Sequence, residues 1–379
     1  MFPDATHDEQ SRQDFVRAMR LHLMGDMRRT NTYLYKHKLR PAFQQVKARP
    51  PRSRTEVRTL MGKDPFTKMW SSLVRTNQEM LYDTVGPSIE RQHPNLVAKA
   101  KRFCGRGGGT LRLNPDLEVP AYLRAVDIHC KPGGYHTERC ENDLFAGAEY
   151  DRTVNVYLLG NLGPQNDDIA LSIIRWLRCN RPEFKPRAIL DMGCTVGHST
   201  IPYGRAWPRA DLRAIDVAGP CLRYAHARAE GMRRKVHFSQ QNAESTDFPD
   251  ASFDLVVSHL VLHETSNRAV RNIFRECRRL LRPGGYMLHA DGVAHQEDPF
   301  DKYMAEWSAH YNNEPFLGTL QDMNLSQVAR EAGFAPERIY EMRIPSVHMP
   351  RPHSLMEKTN GRGRPSDDRP LWYVIGARK

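Results

Sequence analysis

No stretch of about 18 consecutive apolar residues occurs in the 379-residue chain, so a conventional membrane-spanning helix is not expected. The opening residues, MFPDATHDEQ, lack the basic-then-apolar pattern of a secretory signal, and a cytoplasmic setting is expected. Cysteine is sparse: seven residues (104, 130, 140, 179, 194, 221, 277), scattered and odd in number. That distribution argues against a disulfide scaffold and fits reduced thiols. No C-x-x-C pair of the zinc-ligand type exists, and no metal is expected. No internal repeat is evident.

What is present is ordinary globular composition, 40% hydrophobic and 26% charged, in a chain long enough for two structural units. The net charge of +12 is unevenly placed. Residues 1–110 hold 21 Lys and Arg against 10 Asp and Glu, whereas the remainder holds 35 against 34. A basic region of this kind attracts nucleic acid, an anionic surface or an acidic partner, or is simply a solvated helical face.

Residues 11–48 carry helical periodicity (Phe15, Met19, Leu23, Leu34, Leu39), and Ala48-Arg-Pro-Pro-Arg-Ser-Arg-Thr55 breaks it. Helical stretches follow at 65–82 and 95–103, and Gly105-Arg-Gly-Gly-Gly109 reads as a flexible break. Residues 111–164 are irregular, with Val119 biased towards extended backbone before Pro120 and a turn at Pro132-Gly-Gly134. From 165 to 379 strands and helices alternate, the pattern of a parallel sheet covered on both faces. The expected strands are 187–191, 212–216, 235–238, 253–258, 285–290, 336–343 and 371–378, the last two forming an antiparallel pair at the edge. The chain thus divides into a basic, mainly helical region (1–110), a connector or lid (111–164) and an α/β domain (165–379). That domain is expected to be a doubly wound, Rossmann-like, seven-stranded, mostly parallel sheet with an antiparallel edge strand.

The sharpest local signal is Ile189-Leu-Asp-Met-Gly-Cys-Thr-Val-Gly-His-Ser-Thr200. A short apolar strand ends at Asp191, and Gly193 and Gly197 let the backbone turn sharply and approach a ligand before a helix begins. Asp216 ends the next strand, 19 residues after Gly197, where a doubly wound fold places a carboxylate on ribose hydroxyls. Three further segments follow in order: Asn242-Ala243-Glu244, Phe248-Pro-Asp-Ala-Ser-Phe-Asp254 with its strand to Ser258, and Leu280-Leu-Arg-Pro-Gly-Gly285.

Together these segments resemble class I S-adenosylmethionine-dependent methyltransferases, in the broad group that includes the ubiquinone/menaquinone-biosynthesis enzymes. The resemblance implies a Rossmann-like fold and S-adenosylmethionine as cofactor. It implies cofactor contacts from Asp191, Gly193, Cys194, Thr195 and Gly197 in the first loop, and from Asp216 and Val217 after the second strand. Asn242, Ala243 and Glu244 would lie by adenine, with Ser258 and the aromatic Tyr150 completing the set. Thr195 stands where the family's loop has its middle glycine, near the methionine end of the cofactor.

Catalytic candidates follow strand four, where His259 and His263 are four residues apart and histidine titrates near neutral pH. His263 is the favoured base. His289 and Asp291, ending strand five, form a second pair. The segment His129-Cys130-x5-His136-x3-Cys140 matches no common zinc pattern and reads better as a substrate-side lid. Tyr150 and Tyr157 suit closure over the cofactor. The 295–325 stretch, with Trp307, His310, Tyr311 and Phe316, suits an acceptor wall, and 346–370 reads as a basic loop rich in Pro and Gly.

The expected function is methyl transfer to a small-molecule acceptor by in-line displacement. An RNA or protein acceptor docked on the basic N-terminal region is the alternative, and homodimerisation through those helices is conceivable. Ser258-His-Leu-Val261 lacks the Asn/Asp-Pro-Pro-aromatic motif of base amino-methylation, and no Pro-Cys nucleophile follows strand four. A catalytically silent cofactor-binding protein is the third reading.

Overall fold

The structure, a computed structural model, describes residues 1–292, 297–349 and 371–379. The expected loop 346–370 therefore lies outside the described residues from 350 onward, as do the first two residues of the 295–325 stretch. No helix among the described residues is long and apolar enough to cross a membrane.

Eight strands form one sheet: β1 (Thr110–Arg112), β2 (Ala188–Met192), β3 (Asp211–Asp216), β4 (His237–Gln240), β5 (Phe253–His259), β6 (Leu281–Asp291), β7 (Ile339–Pro345) and β8 (Leu371–Arg378). Their spatial order is β1-β4-β3-β2-β5-β6-β8-β7. All pairings are parallel except those of β8, which runs antiparallel to both β6 and β7. Every residue of β2 is buried, as a central strand with both faces covered requires. The chain leaves β2 outward to β3 and β4, then crosses back to β5 on the other side. Above β2 the order reverses, and a crevice opens at the carboxyl ends of the strands.

The sheet has one strand more than the seven expected, because β1 comes from the supposedly irregular connector. The flexible break is instead a fixed strap: Gly107 and Gly109 backbone N–H groups donate to the buried Glu230 carboxylate at 2.7 and 2.9 Å. A Cβ on Gly109 would sit 2.3 Å from the Val236 carbonyl oxygen, so glycine is needed for close backbone approach.

The N-terminal region is helical from His7 to Lys47, interrupted by π-turns at Leu23–Met27 and Tyr35–Leu39. The two expected helices at 65–82 and 95–103 are one, Pro65–Phe103, continuing through Pro87 and Pro94. That helix shares a core with the connector and the sheet domain: Leu81, Tyr82, Val85 and Ile89 pack with Phe145, Ala148, Val196, Cys221 and Tyr224. A second core holds the helix Pro299–Tyr311 against the N-terminal helices, where the Trp70 and Trp307 rings stack at 4.0 Å.

Candidate active site

The crevice is a cavity of about 450 Å³, a size ordinary for a small-ligand site. Its floor is the loop leaving β2. Gly193 takes φ +69°, and a Cβ there would lie 2.6 Å from Val261 Cγ2, so only glycine fits. Thr195 also takes a left-handed φ, 47°, a strained choice for a β-branched residue. Its backbone N–H donates to Asp216 Oδ2 at 2.8 Å, and Ala218 N–H donates to Oδ1 at 2.9 Å. Two amides thus fix the carboxylate at the end of β3. Burial raises its pKa above the ordinary range, opposed by those backbone hydrogen bonds. Replacing Thr195 by Gly should raise stability by about 1 kcal/mol by relieving the left-handed strain. Chemical denaturation checks this, and a loss above about 2 kcal/mol would contradict the strain argument.

Gly193, Thr195, Asp216, Val217, Asn242, Ala243, Tyr150, His259 and His263 all line the cavity. Asp191, Cys194, Gly197, Glu244, Ser258 and His289 do not. Asp191 is buried beneath the loop, accepting from the Thr200 hydroxyl at 2.5 Å and facing His259 Nδ1 at 3.2 Å. Cys194 is buried, and burial pushes its thiol pKa well up. Gly197 turns at φ +75° against Phe238. Glu244 accepts from Asn272 Nδ2 at 2.8 Å and from the Tyr122 hydroxyl at 3.2 Å.

The three histidines part company. His289 is fully buried, bonded to Ser258 Oγ at 2.6 Å and stacked on Phe274. Burial pushes its pKa down to about 3, so it is a neutral packing group out of reach of the cavity. His259 reaches the cavity but engages both ring nitrogens, with Asp191 and with the Tyr203 hydroxyl at 3.0 Å. His263 is buried but borders the cavity: Nδ1 meets Asp291 Oδ1 at 2.8 Å, and Nε2 lies 3.6 Å from Glu264 Oε1. Burial opposes its charged form, but Asp291 and Glu264 raise its pKa well above the ordinary value.

Sequence reasoning missed what faces His263. His129 Nε2 meets Glu264 Oε1 at 2.8 Å and its Nδ1 meets Glu314 Oε1 at 3.0 Å. The segment expected as a substrate-side lid contributes His129, Gly134, Tyr135 and His136 to the cavity lining, while Cys130 is buried near the Tyr311 carbonyl and Cys140 is exposed. The 295–325 stretch does line the cavity, but without Trp307, His310, Tyr311 or Phe316. Ser308, Asn312, Glu314 and Leu317 line the cavity, whereas Trp307 is turned onto Trp70. From the connector come Tyr122, Leu123, Ile128, Tyr135 and Tyr157, and from the long helix Leu81 and Tyr82. His198 and Gln241 are further lining residues with no expectation attached.

Compared with known proteins, residues 189–285 match the family described as methyltransferase domain. A malonyl-[acyl-carrier protein] O-methyltransferase of Legionella pneumophila is 26% identical over 163 residues, 43% of this chain and 55% of that protein. The enzyme of the same name from Xylella fastidiosa is 33% identical over 103 residues, 27% of this chain and 34% of that protein. An uncharacterized methyltransferase of Bacillus subtilis, YcgJ, is 26% identical over 217 residues, 56% of this chain and 78% of that protein. The chain thus spans about half, or less, of the length of the two malonyl relatives. The segment is a methyltransferase domain. Its relatives and sequence pattern are those of the class I, S-adenosylmethionine-dependent kind, and Gly193, Thr195 and Asp216 of the segment line the cavity.

Proposed function

We propose that the chain transfers a methyl group from S-adenosylmethionine to a small-molecule acceptor held in the same cavity. The observation that carries this reading is Asp216: a half-buried carboxylate held by two backbone amides at the end of β3, beside the topological switch point, with no Lys or Arg among the described residues lining the cavity. Such a group suits neutral hydroxyl donors, as the ribose of an adenosyl moiety supplies. Asp216 would take the ribose hydroxyls, Val217, Asn242 and Ala243 the adenine side, and Gly193, Thr195 and Tyr150 the methionine side. Asp191, Cys194, Gly197, Glu244 and Ser258 would act from behind, holding loops and walls in place. The cofactor, when bound, supplies an already activated methyl on a sulfonium centre.

The chain's own task is then positioning and exclusion of water. The connector, residues 111–164, covers the cavity with Tyr122, Tyr135, Tyr150 and Tyr157. A flat or apolar acceptor body would pack there, with His263 and Glu264 facing its polar end. An RNA or protein acceptor has less support, because several N-terminal arginines are already paired: Arg91 with Glu9 at 2.7 Å, Arg49 with Glu56 at 2.6 Å, and Arg54 with Asp322 at 2.8 Å.

The test is isothermal calorimetry of the purified chain with S-adenosylhomocysteine. One saturable site is expected. A folded protein that gives neither heat nor a thermal shift at millimolar ligand would end this reading.

A further inference from the structure

The polar wall of the cavity has a geometry that methyl transfer alone does not require. His129, His263 and Glu264 each offer one potential ligand atom, and those atoms all lie within 4.8 Å of one another. Nitrogen and oxygen ligands at about 2.1 Å from a metal sit roughly 3.0 Å apart when cis in an octahedron and about 3.4 Å apart in a tetrahedron. Here the Glu264 oxygen is 2.8 Å from His129 Nε2 and 3.6 Å from His263 Nε2.

Both histidines are braced from behind. His263 Nδ1 is bonded to Asp291 and His129 Nδ1 to Glu314, so each ring is oriented by a carboxylate while its Nε2 faces inward. That carboxylate–histidine pairing is how metal-bound imidazoles are held. The second oxygen of Glu264 is buried and has no hydrogen-bond partner among the described residues. Three carboxylates meet here, Glu264, Glu314 and Asp291, and no described Lys or Arg lines the cavity. Charge, ligand spacing and an unpartnered oxygen all call for a cation.

We propose that His129, His263 and Glu264 form a binding site for one first-row divalent transition-metal ion, zinc or iron(II), on the acceptor side of the cavity. Two imidazoles and one carboxylate favour these ions over magnesium or calcium, which prefer all-oxygen shells. Three protein ligands leave coordination positions open towards the cavity. An acceptor presenting an oxygen donor, such as a carboxylate, enolate or phenolate, would dock there and find the positive charge that the protein wall lacks. Calling that side the acceptor side rests on the proposed function; ion binding itself does not.

The experiment uses the full chain, stripped with chelator and titrated with Zn2+ and, as a spectroscopic stand-in, Co2+. Bound metal is measured by elemental analysis and by the Co2+ visible spectrum. One ion per chain is expected. Glu264→Gln and His263→Gln should abolish stoichiometric uptake, and Asp291→Asn should weaken it by about 10–100-fold. Cys140→Ser should leave uptake intact, because it touches only the separate His93–Cys140–Asp143 group. Circular dichroism and S-adenosylhomocysteine binding are followed in parallel as controls for folding. A wild-type chain that binds S-adenosylhomocysteine but takes up no ion would overturn the site, leaving a proton-bonded network in its place. So would uptake that survives Glu264→Gln or is lost with Cys140→Ser. Ion uptake without S-adenosylhomocysteine binding would uphold the metal site and count against the cofactor reading alone.

Discussion

Asp216→Ala weakens S-adenosylhomocysteine binding by at least roughly 100-fold, measured by calorimetry at fixed ionic strength. Hydrogen bonds to a charged group contribute about 1.5–3 kcal/mol each, and two ribose hydroxyls would share this carboxylate. The same substitution frees the Thr195 and Ala218 amides, which now donate to Asp216 at 2.8 and 2.9 Å. The loop leaving β2 then loses its anchor to β3, adding to the loss. Asp216→Asn separates the two effects. It retains one oxygen acceptor without the charge and should fall between wild type and alanine. Equal affinity in all three proteins would mean that the adenosyl group is held elsewhere, whatever the fold.

The glycine loop and the strand-end acid that line the cavity were legible because their information is local. A strand, two glycines at fixed spacing and an acid at the end of the next strand depend on backbone geometry written within 30 residues. The same locality explains the correct edge pair, with β7 and β8 in antiparallel register from Ile339 to Pro345. The polar wall was not legible, because His129 and Glu264 are 135 residues apart and nothing in either neighbourhood announces the other. Position on a strand also misled. His289 lies near the end of β6, as a catalytic group could, but its ring is fully buried and stacked on Phe274. Trp307 lies in a stretch suited to an acceptor wall, yet the N-terminal helices offered Trp70 as a better partner, and tertiary packing won. Burial, which decides both cases, depends on elements far away in the chain.

The largest stability effect is expected at Asp151, a residue outside the cavity that ties the connector to the sheet domain. Its side chain is 2% exposed and accepts from Tyr224 Oη at 2.7 Å, with His198 Nε2 at 2.6 Å and Arg228 Nε at 3.7 Å. Burial alone would raise its pKa, but His198, Arg228 and Tyr224 bring it down to about 2. Asp151→Ala leaves the buried Arg228 guanidinium without its counter-charge and the Tyr224 hydroxyl without its acceptor. Breaking a buried pair from one side costs about 3–5 kcal/mol, which equilibrium denaturation in urea would read directly. The sign with pH follows from the depressed value. Asp151 contributes its full stability above the unfolded carboxyl range near 3.8, and the contribution fades as pH falls through about 2. In the alanine variant that part of the acid dependence should vanish, so the two stability curves converge at low pH. His198 lines the cavity and its ring packs against Tyr150, so the loss should also loosen the loop beside Thr195. S-adenosylhomocysteine affinity in Asp151→Ala should therefore fall together with stability. A variant as stable as wild type at neutral pH would show that the connector is held to the sheet domain by its apolar contacts alone.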